Sequence, residues 1–155
     1  MAIEGAAVVR QGEVEAVWLP GLRLYIDGGA RGNPGPAAIG IVVCDEDDRI
    51  LEEYKEYVGK GTNNQAEYKA LLRGLEIAGR RSRNRVTCIS DSELLVLQMT
   101  GVYTVRNLGL RELFSRVKQE ESVFVEVRYV HMPRMTGHLA RADELVNEKL
   151  DELGF

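Results

Sequence analysis

From Leu22 onward the chain settles into readable periods. "LRLYID" alternates, with Leu22, Leu24 and Ile26 on one side and Arg23, Tyr25 and Asp27 on the other. That period of two predicts a strand. "AAIGIVVCD" is a continuous apolar run, as in a strand buried on both faces, and "ILEEYKEYV" is a more exposed strand rich in tyrosine and acids. The short turn "DEDDR" between these two predicts an antiparallel hairpin. The period then lengthens. In "TNNQAEYKALLRGLEIAGRR", Ala70, Leu71, Gly74, Leu75 and Ala78 recur at helical spacing; Thr62 with Gln65 fits a capping box, and Asn64 with Glu67 fits it in part, Asn replacing Ser/Thr. "RVTCIS" predicts a fourth strand ending at Asp91, "SELLVLQMTG" a short helix closed by Gly101, and "LGLRELFSRVKQEE" a further helix. "VFVEVRYVH" alternates as a fifth strand and "ARADELVNEKLDEL" closes the chain as a helix. The first three strands pair as a meander, and the later ones need helical crossovers and so prefer parallel pairing. The expected architecture is α/β, a five-stranded mixed sheet flanked by helices.

Composition changes this picture little. The 155 residues are 45% hydrophobic and 28% charged, which suits one domain with a sizeable core. Residues 1–21 read as an N-terminal extension in which "VVRQGEVEAVWL" predicts a short hairpin turning near Gly12, and residues 22–155 form the domain proper. The start has no basic region before an apolar run, so no signal peptide is expected, and no stretch approaches membrane-spanning length. Cys44 and Cys88 sit inside apolar runs and read as core residues in a reducing, cytoplasmic setting. A formal charge of −4 argues against nucleic acid held by an overall positive field, so any such contact must be local. The basic run "GRRSRNR" follows a helix, where cations complement the helix dipole.

Four carboxylates stand out. Asp27 closes the first strand, Glu67 lies in the first turn of the first helix, Asp91 closes the fourth strand and Asp143 opens the last helix. In an open α/β sheet, ligands collect beyond the carboxyl ends of the strands. Each acid has an ordinary explanation: a turn residue at Asp27, complement to a helix dipole at Glu67, and caps at Asp91 and Asp143. Gathered at one sheet edge, they would repel one another, and hard divalent cations taking oxygen ligands are the usual compensation. Paired cations are a common device for in-line displacement at phosphorus.

The blocks "YIDGGARGNPGPAAIG", "GTNNQAEYKALLRGLEIA", "SDSELLVLQMTGVYTVRNLGLREL" and "RADELVNEKLDE" resemble, in order, the signature blocks of the type 1 ribonuclease H family. The resemblance runs from Leu22 to about Leu153. It implies a ribonuclease-H-like fold with sheet order 3-2-1-4-5, and a metal-dependent endonuclease that cuts the RNA strand of an RNA–DNA hybrid. It further implies two Mg²⁺ ions, with Mn²⁺ as a substitute, no small-molecule cofactor, no membrane partner, and action as a monomer. By position, Asp27 would bridge both ions, Asp91 and Asp143 would complete the one holding the attacking water, and Glu67 would serve the other. Asn33, Asn63 and Asn64 match positions that hydrogen-bond the hybrid, and an amide offers both donor and acceptor. Gly28 and Gly29 would let RNA approach the backbone. Thr62 matches a position contacting a DNA-strand phosphate. His138, in "HMPRMTGHLARAD", matches a loop histidine that some relatives use near the attacking water, and is equally readable as a surface or helix-entry residue. "TGVYTVRNLGL" passes directly from one helix to the next, without the basic helix-loop that some relatives insert. Hybrid binding is then expected to be weaker and more salt-sensitive than in relatives that have it. Two other readings stay open. One is a hybrid-binding module without catalysis, and the other is a nuclease of the wider superfamily.

Overall fold

A computed structural model describes residues 21–155. The expected N-terminal hairpin lies outside the described residues. The elements are β1 (Leu22–Ala30), β2 (Gly35–Asp45), β3 (Ile50–Gly61), α1 (Asn63–Arg81), β4 (Arg85–Ser90), α2 (Glu93–Met99), α3 (Leu108–Glu121), β5 (Glu126–His131) and α4 (Leu139–Glu152). They form one mixed sheet in the order β3-β2-β1-β4-β5. β1–β2 and β2–β3 are antiparallel, and β1–β4 and β4–β5 are parallel.

The alternation in β1 divides the core as its pattern requires. Leu22, Leu24 and Ile26, with Ile41 and Val43 of β2, pack beneath Leu71, Leu75 and Ala78 of α1. Tyr25, with Val42, Cys44 and Ile89, packs beneath Leu139, Ala142 and Leu145 of α4. α1 begins with a complete capping box: Gln65 N donates to Thr62 Oγ1 at 3.1 Å, and Thr62 N donates to Gln65 Oε1 at 2.9 Å. Arg80 and Arg81 of the basic run occupy the last turn of α1, where Arg81 pairs with Glu52 at 2.7 Å. The β2–β3 turn is tied by Asp45 Oδ1, which accepts from Asp47 N and Arg49 N. Only residues 100–107 separate α2 from α3, and no further helix intervenes. Among the described residues no helix is long and apolar enough to cross a membrane.

Three boundaries beside the carboxylates differ from the sequence expectation. β1 does not stop at Asp27 but continues to Ala30, because Gly28, Gly29 and Ala30 keep pairing with Ile39, Ala38 and Ala37. Glu67 is the fifth residue of α1, since Thr62 is the cap, so it lies beyond the first turn. α4 likewise starts at Leu139, which puts Asp143 one turn in.

Candidate active site

Two glycines let two helices close on Asp27 from opposite faces of the sheet. Gly40 lies directly across from Asp27 in the β1–β2 register. A Cβ at Gly40 would stand 2.2 Å from the Ala142 carbonyl oxygen. Its absence lets α4 settle on the sheet and delivers the next residue, Asp143, to Asp27. Gly28 faces the other way, where a Cβ would stand 2.4 Å from the Ala66 carbonyl and 2.6 Å from Glu67 N. α1 therefore abuts β1, and Gly28 N donates to Glu67 Oε1 at 2.5 Å. Asp91 follows β4, the parallel neighbour of β1. The serines beside it fix its backbone. Ser90 Oγ accepts from Ser92 N at 3.0 Å, and Ser92 Oγ caps α2 by accepting from Leu95 N at 3.1 Å.

Carboxylate oxygens of Asp27, Glu67 and Asp91 all lie within 4.8 Å of one another. Asp143 lines the same cavity of about 330 Å³, together with Gly28, Gly29, Asn63, Asn64 and Arg134. The electrostatics follow from crowding. Burial, and then the charges of Asp91 and Asp143, push Asp27 from 3.8 up to about 7. Burial, then Asp27 and Asp91, raise Glu67 well above the carboxylate range, partly opposed by the Gly28 N–H. Such a cluster of oxygen donors short of positive charge suits hard divalent cations. Arg134 supplies part of that charge: its Nη2 donates to Asp143 Oδ1 at 3.0 Å.

The remaining expected residues divide into several placements. Asn63 and Asn64 line the cavity. Asn63 Oδ1 accepts from Ala30 N at 2.9 Å, and Asn33 Oδ1 accepts from Asn63 N at 3.0 Å, so both amides fasten the β1–β2 loop to the start of α1. Thr62 caps α1 and is not part of the cavity lining. Gly29 faces the cavity and leaves ordinary space, its would-be Cβ lying 3.6 Å from Val146. Gly28 departs from the expectation that its missing Cβ serves RNA approach, since α1 occupies that space and Glu67 takes its N–H. His138 is not brought to the carboxylates. Its Nε2 lies 2.9 Å from the Asp48 carbonyl oxygen and its ring packs edge-on against Tyr25, because it immediately precedes α4 and turns toward the β2–β3 hairpin. Arg134 is the residue of that loop that reaches the site. Its position in "HMPRMTGH" carried no periodic signal, and only its cationic side chain, nine residues before Asp143, hinted at a role.

Fold and site together define an α/β domain with an acidic cavity at the edge of its sheet. Residues 25–148 match the family model described as reverse transcriptase-like. Ribonuclease HI of Halobacterium salinarum is 40% identical over 128 residues, which are 83% of this chain and 63% of that protein. The crystal structure of the RNase H1 from Halobacterium salinarum NRC-1 aligns with a TM-score of 0.81 at 39% identity, covering 85% of this chain and 98% of that one. LC11-RNase H1, solved in complex with RNA/DNA hybrid, aligns with a TM-score of 0.78 at 44% identity, again over 85% and 98%. This chain belongs to the type 1 ribonuclease H family.

Proposed function

We propose that the protein hydrolyses the RNA strand of RNA–DNA hybrids, using divalent cations held by Asp27, Glu67, Asp91 and Asp143. The observation that carries this reading is the convergence of the four acids in one cavity whose wall also presents Asn63 and Asn64. Its likeness to LC11-RNase H1, which binds such a hybrid, supports the same substrate.

The donor set fits Mg²⁺, an oxygen-seeking cation, with Mn²⁺ as a substitute. When bound, a pair of such ions neutralises charge at the scissile phosphate and lowers the pKa of the attacking water. Asp27 stands at the centre of the set. Glu67 is fixed by its bond from Gly28 N, which aims one oxygen and leaves the other for a ligand. Asp143 is steadied by Arg134, whose guanidinium, exposed at the cavity, also suits a phosphate oxygen. Asn63 and Asn64 read the ribose. Their amide N–H groups can donate to a 2′-hydroxyl, the constant difference between RNA and DNA on the sugar. In-line attack of water at phosphorus breaks the bond to the 3′-oxygen and leaves 3′-hydroxyl and 5′-phosphate ends. His138 has no part in this scheme. The two buried, free cysteines fit a cytoplasmic setting.

The test is incubation of matched end-labelled RNA–DNA, DNA–DNA and RNA–RNA duplexes with Mg²⁺ and with chelator. The expected result is cleavage of the RNA strand of the hybrid, dependent on metal, with DNA–DNA intact. Hybrid bound but uncut in Mg²⁺ would favour a binding module. Equal cutting of DNA–DNA would move the protein to another nuclease class.

A further inference from the structure

A second donor cluster lies on the α4 side of the sheet, apart from the carboxylate cavity. Ligand atoms of Cys44, Asp48 and His138 all lie within 4.8 Å of one another. They come from three segments: the end of β2, the β2–β3 turn and the residue before α4. Cys44 is fully buried and not in a disulfide. Asp48 and His138 keep 44% and 27% of their side-chain surface, so the cluster is open on one side. Thiol, imidazole and carboxylate together are a donor set for Zn²⁺ and its borderline relatives, not for Mg²⁺, which takes oxygen.

We propose that Cys44, Asp48 and His138 bind one zinc-type divalent cation, with water in the fourth position. The Asp48 carboxylate is already arranged for it. Tyr25 Oη donates to Asp48 Oδ1 at 2.6 Å, the outer hydrogen bond that a ligating carboxylate usually has. Asp48 Oδ2 faces His138 Nε2 at 3.9 Å and is the oxygen left for the metal. Arg23 Nε stands 3.5 Å from Oδ1, on the Tyr25 side of the group. Donors around tetrahedral zinc stand about 3.3–3.6 Å apart, so these three must draw in by roughly 1 Å. Asp48 in its turn and His138 at the helix entry have room to do so, while Cys44 is fixed by packing. His138 gives up its contact with the Asp48 carbonyl, and the Cys44 thiol releases its proton to solvent as the sulfur–metal bond forms. The bound ion would tie the β2–β3 turn to the entry of α4, the helix that carries Asp143.

Co²⁺ titration of the chelator-treated full chain tests this, because a cysteine ligand gives a thiolate-to-cobalt charge-transfer absorption that carboxylates cannot give. Wild type and Asp27→Asn should both develop that band with one equivalent, and Zn²⁺ should abolish it. Cys44→Ala should lack the band, and His138→Gln, at a half-buried position that tolerates change, should bind at least about tenfold more weakly. Absence of the band in wild type overturns the proposal, as does wild-type affinity in His138→Gln. The readout is independent of cleavage, so it stands or falls separately from the hydrolytic reading.

Discussion

Replacing Asp27 by Asn should both abolish cleavage and stabilise the metal-free protein, and the second effect depends on pH in a defined direction. Burial and the neighbouring acids lift Asp27 from 3.8 to about 7. A carboxyl raised on folding binds its proton more tightly in the folded chain. Its contribution is therefore fully present below about pH 4 and is lost as the pH rises through 7. Three pH units at 1.36 kcal/mol each set a ceiling of about 4 kcal/mol. Solvent in the open cavity screens part of it, leaving roughly 1–3 kcal/mol. In a domain of this size each kcal/mol is worth about 4 °C in Tm. Thermal melts in chelator should then place Asp27→Asn several degrees above wild type at pH 8, with the gap closing by pH 4. Mg²⁺ at pH 8 should raise the wild-type Tm and move the variant little, since the amide has lost the charge that attracts the cation. Parallel pH curves for the two proteins would refute the electrostatic account, and near wild-type hybrid cleavage by the Asp27→Asn variant in Mg²⁺ would refute the metal assignment.

Three further substitutions separate scaffold from chemistry. Gly28→Ala drives a Cβ into the α1 backbone at 2.4 Å, so it should cost about 1–3 kcal/mol by chemical denaturation and lower turnover through displacement of Glu67. Asn63→Ala removes the acceptor for Ala30 N and an amide proposed to contact the hybrid, and should lose about 0.5–1.5 kcal/mol of metal-free hybrid affinity as well as some Tm; unchanged affinity would leave Asn63 a purely structural tie. Arg134→Ala breaks an ion pair whose arginine is 69% exposed, so stability should change by no more than about 1 kcal/mol, while hybrid cleavage in Mg²⁺ falls at least about tenfold; unchanged cleavage would make Arg134 a bystander.

Periodicity carried the fold because the sheet is two-sided. Alternation in "LRLYID" assigned each side chain of β1 to the helix that covers it, and the Thr62–Gln65 pair marked the start of α1, although Glu67 was still read one turn too early. The four acids were legible from their blocks. What lay beyond reach was anything decided by backbone approach. A glycine letter does not say which backbone fills the space its side chain leaves, so Gly28 read as an opening for RNA when α1 occupies that place. Gly40 carried no signal at all, although the contact across it sets where Asp143 stands. Loop side chains were the other gap. Nothing periodic distinguishes Arg134 from His138, and only the path of residues 132–138 sends one to the carboxylates and the other to the hairpin.

Glu67 explains why the entry to α1 is fastened so many times. It is 8% exposed among other acids, so its charged form repels its neighbours and lacks solvent. The charged form would therefore push α1 away from β1. Opposing it are the capping box at Thr62, the Ala30–Asn63 and Asn63–Asn33 bonds, and the Gly28 donor to Glu67 itself. Each is worth about 0.5–1.5 kcal/mol, with the bond to a charged acceptor at the upper end or above. Together they hold the helix start against that repulsion. The same contacts place cavity-lining groups, since Asn33 and Asn63 hold the β1–β2 loop against the helix whose Asn64 and Glu67 face the cavity. Loosening the helix start would therefore relieve the charge and scatter the groups proposed to read the ribose in one movement. Under the proposed function, stability and substrate reading are coupled at this point of the fold, whereas on the opposite face Asp143 rests on packing across Gly40 and one exposed arginine.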